Sequence, residues 1–228
     1  MLLTNLFLIG LGLLPGLVWL IFYLREDTRH PEPRKLIFYT FLAGALVTVF
    51  VLQFQYQIHL GITSGGLHPY GIVSFLFLAV VEEVFKFLAV YLVVSRRKEF
   101  DEPIDAMIYM VVAALGFATV ENVASVFNAG GVFPSPGPIE TTILRFVGAT
   151  LLHTLSSGLV GYYWGKALAK GKKPLKAIAG GLLLATLLHA FFNFLIIRSE
   201  PIALPLIFLL FFALFVLSDF EKLKRVSP

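Results

Sequence analysis

Two adjacent glutamates and a lysine, Glu82, Glu83 and Lys86, stand inside the apolar run FLFLAVVEEVFKFLAVYLVV. A charged group near the centre of a membrane-spanning helix costs on the order of 3 kcal/mol on insertion scales. Three of them within five residues mark a candidate functional site, because ionisable groups at membrane depth are rarely decoration. Other apolar runs add Glu121 followed by Asn122, His153 with Ser156 and Ser157 at i+3 and i+4, and His189 with Asn193 at i+4. Residues three and four apart share a helix face.

Two histidines with several carboxylates can do one of three things. They can hold a metal such as zinc, activate water directly with a glutamate as general base, or relay protons in a transporter. Glu82 and Glu83 repel each other and titrate as a coupled pair, so one can act as base while its neighbour stays protonated or orients it. Each group also has a plainer role. Glu82 and Lys86, at i,i+4 with the acid first, could be an internal ion pair. His153 with Ser157, and Asn193, could be interhelical hydrogen-bonding contacts. His30, His59 and His68 fall in or near loops and are not assigned to the site.

These groups sit on elements that composition makes plain. The chain has 228 residues, 58% hydrophobic and 14% charged, with a mean hydropathy of +0.86. That profile excludes an ordinary soluble domain and points to an all-α, polytopic membrane bundle. Its length suits one transmembrane domain, 1–228. Without cysteine, disulfide and thiolate chemistry are excluded. The net charge of +4 does not signal nucleic-acid binding, because the basic residues lie in short loops between apolar runs. The first residues, MLLTNLFLIG, lack a basic region and a small-residue cleavage pattern, and read as a retained helix.

Seven spans are expected, at about residues 2–24, 36–58, 71–94, 104–128, 140–165, 176–197 and 202–220. Gly10, Gly12, Pro15 and Gly16 predict a kink in the first. Gly and Pro in NAGGVFPSPGP predict an irregular fourth loop. Basic residues cluster in the first loop (Arg25, Arg29, Arg34, Lys35), the third (Arg96, Arg97, Lys98), the fifth (Lys166, Lys170, Lys172, Lys173, Lys176) and the tail (Lys222, Lys224, Arg225). The positive-inside rule then puts the odd loops and the C-terminus in the cytoplasm and the N-terminus outside. The remaining basic residues are Lys86, Arg145 and Arg198.

Counting from the predicted outer ends at 1.5 Å per residue gives a depth of roughly 16 Å for Glu82, 20 Å for His153, 12 Å for His189 and 10 Å for Glu121. Helices of alternating direction thus place all four in one layer of the outer half-membrane. A catalytic four-helix subset, about 71–197, is expected. Ala118, Gly158, Gly161, Gly180, Gly181 and Ala185 accompany it, and small residues let helices approach closely.

Taken in order, Glu82-Glu83-x-x-Lys86, Gly116-Phe117-x-x-x-Glu121-Asn122, His153-x-x-x-Ser157 and His189-x-x-x-Asn193 resemble the PrsW family of intramembrane proteases. The first-loop stretch Asp27-Thr-Arg-His-Pro31-Glu32-Pro33 is similar to that family's charged Pro-Glu-Pro signature. The resemblance runs from about residue 25 to 195. It places the chain with the CAAX prenyl proteases and bacteriocin-processing enzymes, whose Glu-Glu-x-x-x-Arg motif carries the catalytic glutamate. By resemblance, Glu82 is the base that activates water, Glu83 and Lys86 orient or tune it, and His189 and Asn193 polarise the scissile carbonyl or hold its oxyanion. Two departures from the wider group match PrsW itself. Lys86 stands one position before the arginine, and Glu121 replaces the histidine of Phe-x-x-x-His, leaving His153 to take its place. Family usage as metalloproteases makes Glu82, Glu121, His153 and His189 the candidate zinc ligands.

The function expected is therefore an intramembrane peptidase of a bacterial or archaeal cell membrane. Its substrate would be a single-span membrane protein in the lipid bilayer, with no nucleic-acid partner. For PrsW members the resemblance implies an anti-sigma factor, cut at its first site in envelope-stress signalling. Two alternatives use the same residues: a proton- or ion-coupled transporter, and a non-catalytic scaffold or sensor binding a partner helix. The absence of a convincing internal repeat weighs against the transporter.

Overall fold

A computed structural model describes residues 2–25, 30–129 and 136–226. Asp27, Thr28 and Arg29, and most of the Gly/Pro-rich fourth loop, lie outside the described residues. Within them the chain is helical, with no strand. The helices are α1 (Leu2–Leu24), α2 (Arg34–Ser64), α3 (Ile72–Val94), α4 (Asp105–Asn128), α5 (Pro138–Arg145), α6 (Leu151–Ala169), α7 (Leu175–Arg198) and α8 (Ala203–Lys224), with a π-helical turn, Phe146–Thr150, joining α5 to α6.

Treating α5, the π turn and α6 as one rod leaves seven membrane-length helices, and the all-α bundle is as expected. Six are long and apolar enough to cross a membrane. The seventh, α3, has 23 residues but carries Glu82, Glu83 and Lys86. The second and fifth spans depart most from expectation. α2 continues six residues past 58, because its polar Gln53–His59 stretch breaks hydropathy but not the helix. The chain turns only at Gly65 and Gly66, the latter at φ +74°, a conformation that favours glycine. The fifth span is interrupted by the π turn, which apolar patterning does not reveal. α1 runs through Pro15, which is buried.

The bundle is built around α4. Every residue from 103 to 119 is buried, as expected for a helix that is apolar all round. α1, α2 and α6 all cross it closely, and glycine makes the approach possible. A Cβ on Gly116 of α4 would lie 1.9 Å from the Phe41 carbonyl oxygen of α2, and one on Gly44 of α2 would lie 2.0 Å from that of Ala113. On the α6 side, Gly161 and Gly165 meet the backbone of Ala106 and Pro103 in the same way. The glycine of Gly116-Phe117 therefore has a packing reason. Gly116→Ala should lower the melting temperature by about 5–10 °C, given roughly 2–3 kcal/mol for overpacking. Gly180→Ala, whose Cβ would meet nothing within 4 Å, should leave it unchanged. Thermal unfolding in detergent reads both.

α3 lies at the side of this core, between α2 and α7, with α4 and α6 behind it. That placement turns its polar face inward and leaves Phe77, Leu88 and Leu92 exposed on the other side.

Candidate active site

The inward face of α3 brings Glu82, Glu83 and Lys86 against the polar faces of α4, α6 and α7. The two acids have different surroundings. Glu83 is fully buried, and its Oε1 accepts from Lys86 Nζ at 2.5 Å, His189 Nδ1 at 2.7 Å and Ser156 Oγ at 2.9 Å. Its Oε2 accepts from Ser157 Oγ at 3.4 Å. Four donors occupy this carboxylate, as a buried charge requires. Lys86 also reaches His153 Nδ1 at 3.1 Å and lies over the Phe117 ring, 5.2 Å from its centroid.

The i,i+4 pairing of Glu82 with Lys86 allowed by the sequence is replaced by an i,i+3 pair of Lys86 with Glu83. Glu83 points at the donors of α6 and α7, and the ammonium follows the charge that is already held. Ser157 donates to Glu83 across the α3–α6 interface, an interhelical contact of the kind the sequence allowed.

Glu82 is the less satisfied acid. Gln55 of α2 donates to its Oε1 at 2.6 Å. Its Oε2 is buried and has no hydrogen-bond partner among the described residues. That oxygen lies 3.6 Å from His189 Nε2 and 3.9 Å from His153 Nδ1. The imidazole rings are 5.1 Å apart and nearly perpendicular.

Each histidine gives its other nitrogen to a carboxylate: His189 Nδ1 to Glu83, and His153 Nε2 to Glu121 Oε2 at 3.0 Å. Lys86 has only protons to give, so His153 Nδ1 must accept and Nε2 carries the proton. Glu121 also accepts from Arg145 Nη2 at 3.0 Å, and Arg145 Nε donates to Asn122 Oδ1 at 2.5 Å.

Six of the seven candidate residues therefore meet in one cluster. Asn193 stands one turn beyond His189, half-buried, and makes no hydrogen bond among the described residues. Glu82, His153 and His189 form a group whose ligand atoms lie within 4.8 Å of one another, so it could hold a metal. Glu121 lies outside that group, because it occupies the far nitrogen of His153. Its place matches that of a carboxylate that orients a ligating histidine. Two contributors were not singled out from sequence. Arg145 was visible only as a basic residue off the expected inner side, and Gln55 only as one of three alternating glutamines, Gln53, Gln55 and Gln57.

The Pro31-Glu32-Pro33 stretch does not join the cluster. Glu32 accepts from the Tyr109 hydroxyl, and His30 Nδ1 lies 2.5 Å from Glu102. Tyr109 is twelve residues before Glu121 on α4, about 18 Å along the helix. These contacts tie the first loop to the base of the central helix.

A family model described as PrsW family intramembrane metalloprotease matches residues 32–218. The chain belongs to the PrsW family. A Protease PrsW of Geobacillus kaustophilus is 31% identical over 193 residues, covering 85% of this chain and 81% of its own length. Those of Bacillus subtilis and Clostridioides difficile are each 27% identical, over 96% and 94% of this chain and 97% and 89% of theirs. No solved structure matches. This PrsW-family chain is thus a protease, and an integral membrane protein of bacterial kind that works within the lipid bilayer on membrane-embedded substrates. The family is one of metalloproteases, and the buried Glu82, His153 and His189 form a group able to bind a metal.

Proposed function

We propose that this protein hydrolyses a peptide bond of a single-span membrane protein, with Glu82 as the base that takes the proton of the attacking water. The observation that carries this is the unpartnered, buried Oε2 of Glu82 held between two imidazoles. A buried carboxylate oxygen without a donor costs free energy, and such a cost is tolerated where a reactant completes the site.

The surrounding residues have separate roles in this reading. Gln55 fixes the carboxylate through Oε1, leaving Oε2 to face the water. Glu83 keeps the proton of His189 on Nδ1, so Nε2 faces the reacting atoms. Asn193, uncommitted one turn away, is placed to donate to the oxyanion. α3, α4, α6 and α7 form the catalytic subset, and the odd loops face the cytoplasm. By family resemblance, the substrate is a membrane-anchored anti-sigma factor cut on its extracytoplasmic side.

The donor set also fits zinc. It is a His2Glu triad in which each histidine is backed by a carboxylate, with one carboxylate oxygen lacking a partner. Glu82, His153 and His189 would hold the ion, Glu82 then serving through Oε2 as a ligand in place of the base, and the Nδ1 lone pair of His153 would pass to it from Lys86. Bound there, zinc supplies Lewis acidity toward the carbonyl and the water.

The deciding experiment reconstitutes the purified protein in liposomes with a single-span substrate and looks for a new N-terminus by mass spectrometry. Wild type should generate one and His189→Ala should not, while both remain folded. Binding without any new N-terminus would instead identify a scaffold, and substrate-driven proton uptake would identify a transporter. Stoichiometric metal lost in His153→Ala and His189→Ala would place an ion in the site. Wild-type turnover after exhaustive chelation would remove it.

A further inference from the structure

The π turn at Phe146–Thr150 lies directly between Arg145 and His153, and both side chains end on the same oxygen, Glu121 Oε2. In an uninterrupted α-helix, at 100° per residue, residues eight apart point about 80° away from each other. A turn bonded i→i+5 takes up one extra residue. Residues eight apart then face as residues seven apart do, about 20° from eclipsed. The turn therefore rotates Arg145 onto the stripe of His153.

Other contacts close the same grip. Arg145 Nε donates to Asn122 Oδ1, and Asn122 Nδ2 donates to Thr150 Oγ1 at 3.0 Å at the far end of the turn. Thus Glu121 and Asn122, consecutive on α4, are held from both sides of the π turn. The turn is also fastened from the α1 side. Trp19 donates its indole N–H to the Phe146 carbonyl at 3.0 Å and stacks on the Phe146 ring. A freed backbone group at membrane depth needs such a partner.

We infer that Arg145 is a positioning residue for His153: swung into register by the π turn, it fixes the Glu121 carboxylate that accepts from His153 Nε2 and so holds the imidazole in place, with Nδ1 facing Lys86 and Glu82. Arg145 touches neither His153 nor Glu82 and acts only through Glu121. Its guanidinium fork, spanning two neighbouring side chains, is a geometry that lysine cannot reproduce.

The test uses the full-length protein in detergent with nitrogen-labelled histidine. Removing His153 assigns its signals among the five histidines. Wild type should show one slowly exchanging, hydrogen-bonded His153 Nε2–H signal. Arg145→Ala should speed its exchange and shift it, and Arg145→Lys should give an intermediate result, while Lys86 keeps Nδ1 unprotonated in each. Deleting Val147, which removes the extra residue but leaves Arg145 and His153 seven apart in an ordinary α-helix, should keep the wild-type signal. If Arg145→Ala accumulates poorly, Arg145→Gln carries the same comparison. The second readout rests on the peptidase reading above: Arg145→Ala should lower kcat about 10–100-fold and leave KM within about twofold. A His153 Nε2–H signal with wild-type position and exchange in Arg145→Ala or Arg145→Gln overturns the inference, whether or not the protein cleaves a substrate.

Discussion

Glu82→Gln should reduce cleavage of a reconstituted substrate by about a thousandfold, the range for loss of a positioned general base, with no loss of stability. The amide has the size of the carboxylate and can still accept from Gln55. What it lacks is a basic oxygen where Oε2 stands. Because that oxygen has no donor among the described residues, the substitution removes an unsatisfied buried charge. The melting temperature should therefore hold or rise, the pattern of a residue kept for activity at the expense of stability. Glu83→Gln makes the informative contrast. It takes the charge from a carboxylate that serves Lys86, His189, Ser156 and Ser157 together. Activity and stability should fall in the same variant. Single-turnover cleavage and thermal melts on both variants separate the two acids. Near-wild-type cleavage by Glu82→Gln would dismiss it as the base.

The largest effect on stability should come from Lys86→Met. Both members of the Lys86–Glu83 pair are fully buried, with Nζ to Oε1 at 2.5 Å. Removing one partner of such a pair costs about 3–5 kcal/mol, because the other charge is left buried and uncompensated. For a chain of this size that corresponds to a fall in melting temperature of roughly 6–20 °C. Adding Glu83→Gln to Lys86→Met should restore most of the loss, since the orphaned charge goes with it. Cleavage should stay absent in the double variant, because His189 and His153 have each lost a charged neighbour that orients them. An additive pair of losses in the melts would show that the two residues are not coupled.

Hydropathy made the helices readable, because burial in lipid demands long apolar runs whatever the detailed packing. The same energetics exposed Glu82, Glu83, Lys86, Glu121, His153 and His189, each too costly at membrane depth to be incidental. Their depth agreement across alternating helices was also readable, and the structure joins them in one cluster. Partner choice was not. Spacing along α3 favours Glu82 for Lys86, whereas the donors of α6 and α7 hold Glu83 and draw the lysine with it. Gln55 was hidden because three alternating glutamines look alike until α2 packs on α3. Arg145 was hidden for a geometric reason. Helical-wheel reasoning assumes a constant angle per residue, and the π turn breaks that assumption just where the arginine is brought round.

The distance in sequence between α3 and its partners bears on how the protein is made. When α3 leaves the ribosome, Lys86 can neutralise Glu83 at once from within the same helix, and Gln55 has already been synthesised. Ser156 and Ser157 arrive 73 and 74 residues after Glu83, and His189 only 106 residues after it. Until then Glu82 enters the membrane without its imidazole neighbours. The polar face of the helix that carries the chemistry is therefore completed only when α6 and α7 have been made. A site whose second imidazole comes from α7 cannot be complete on a chain that stops before that helix.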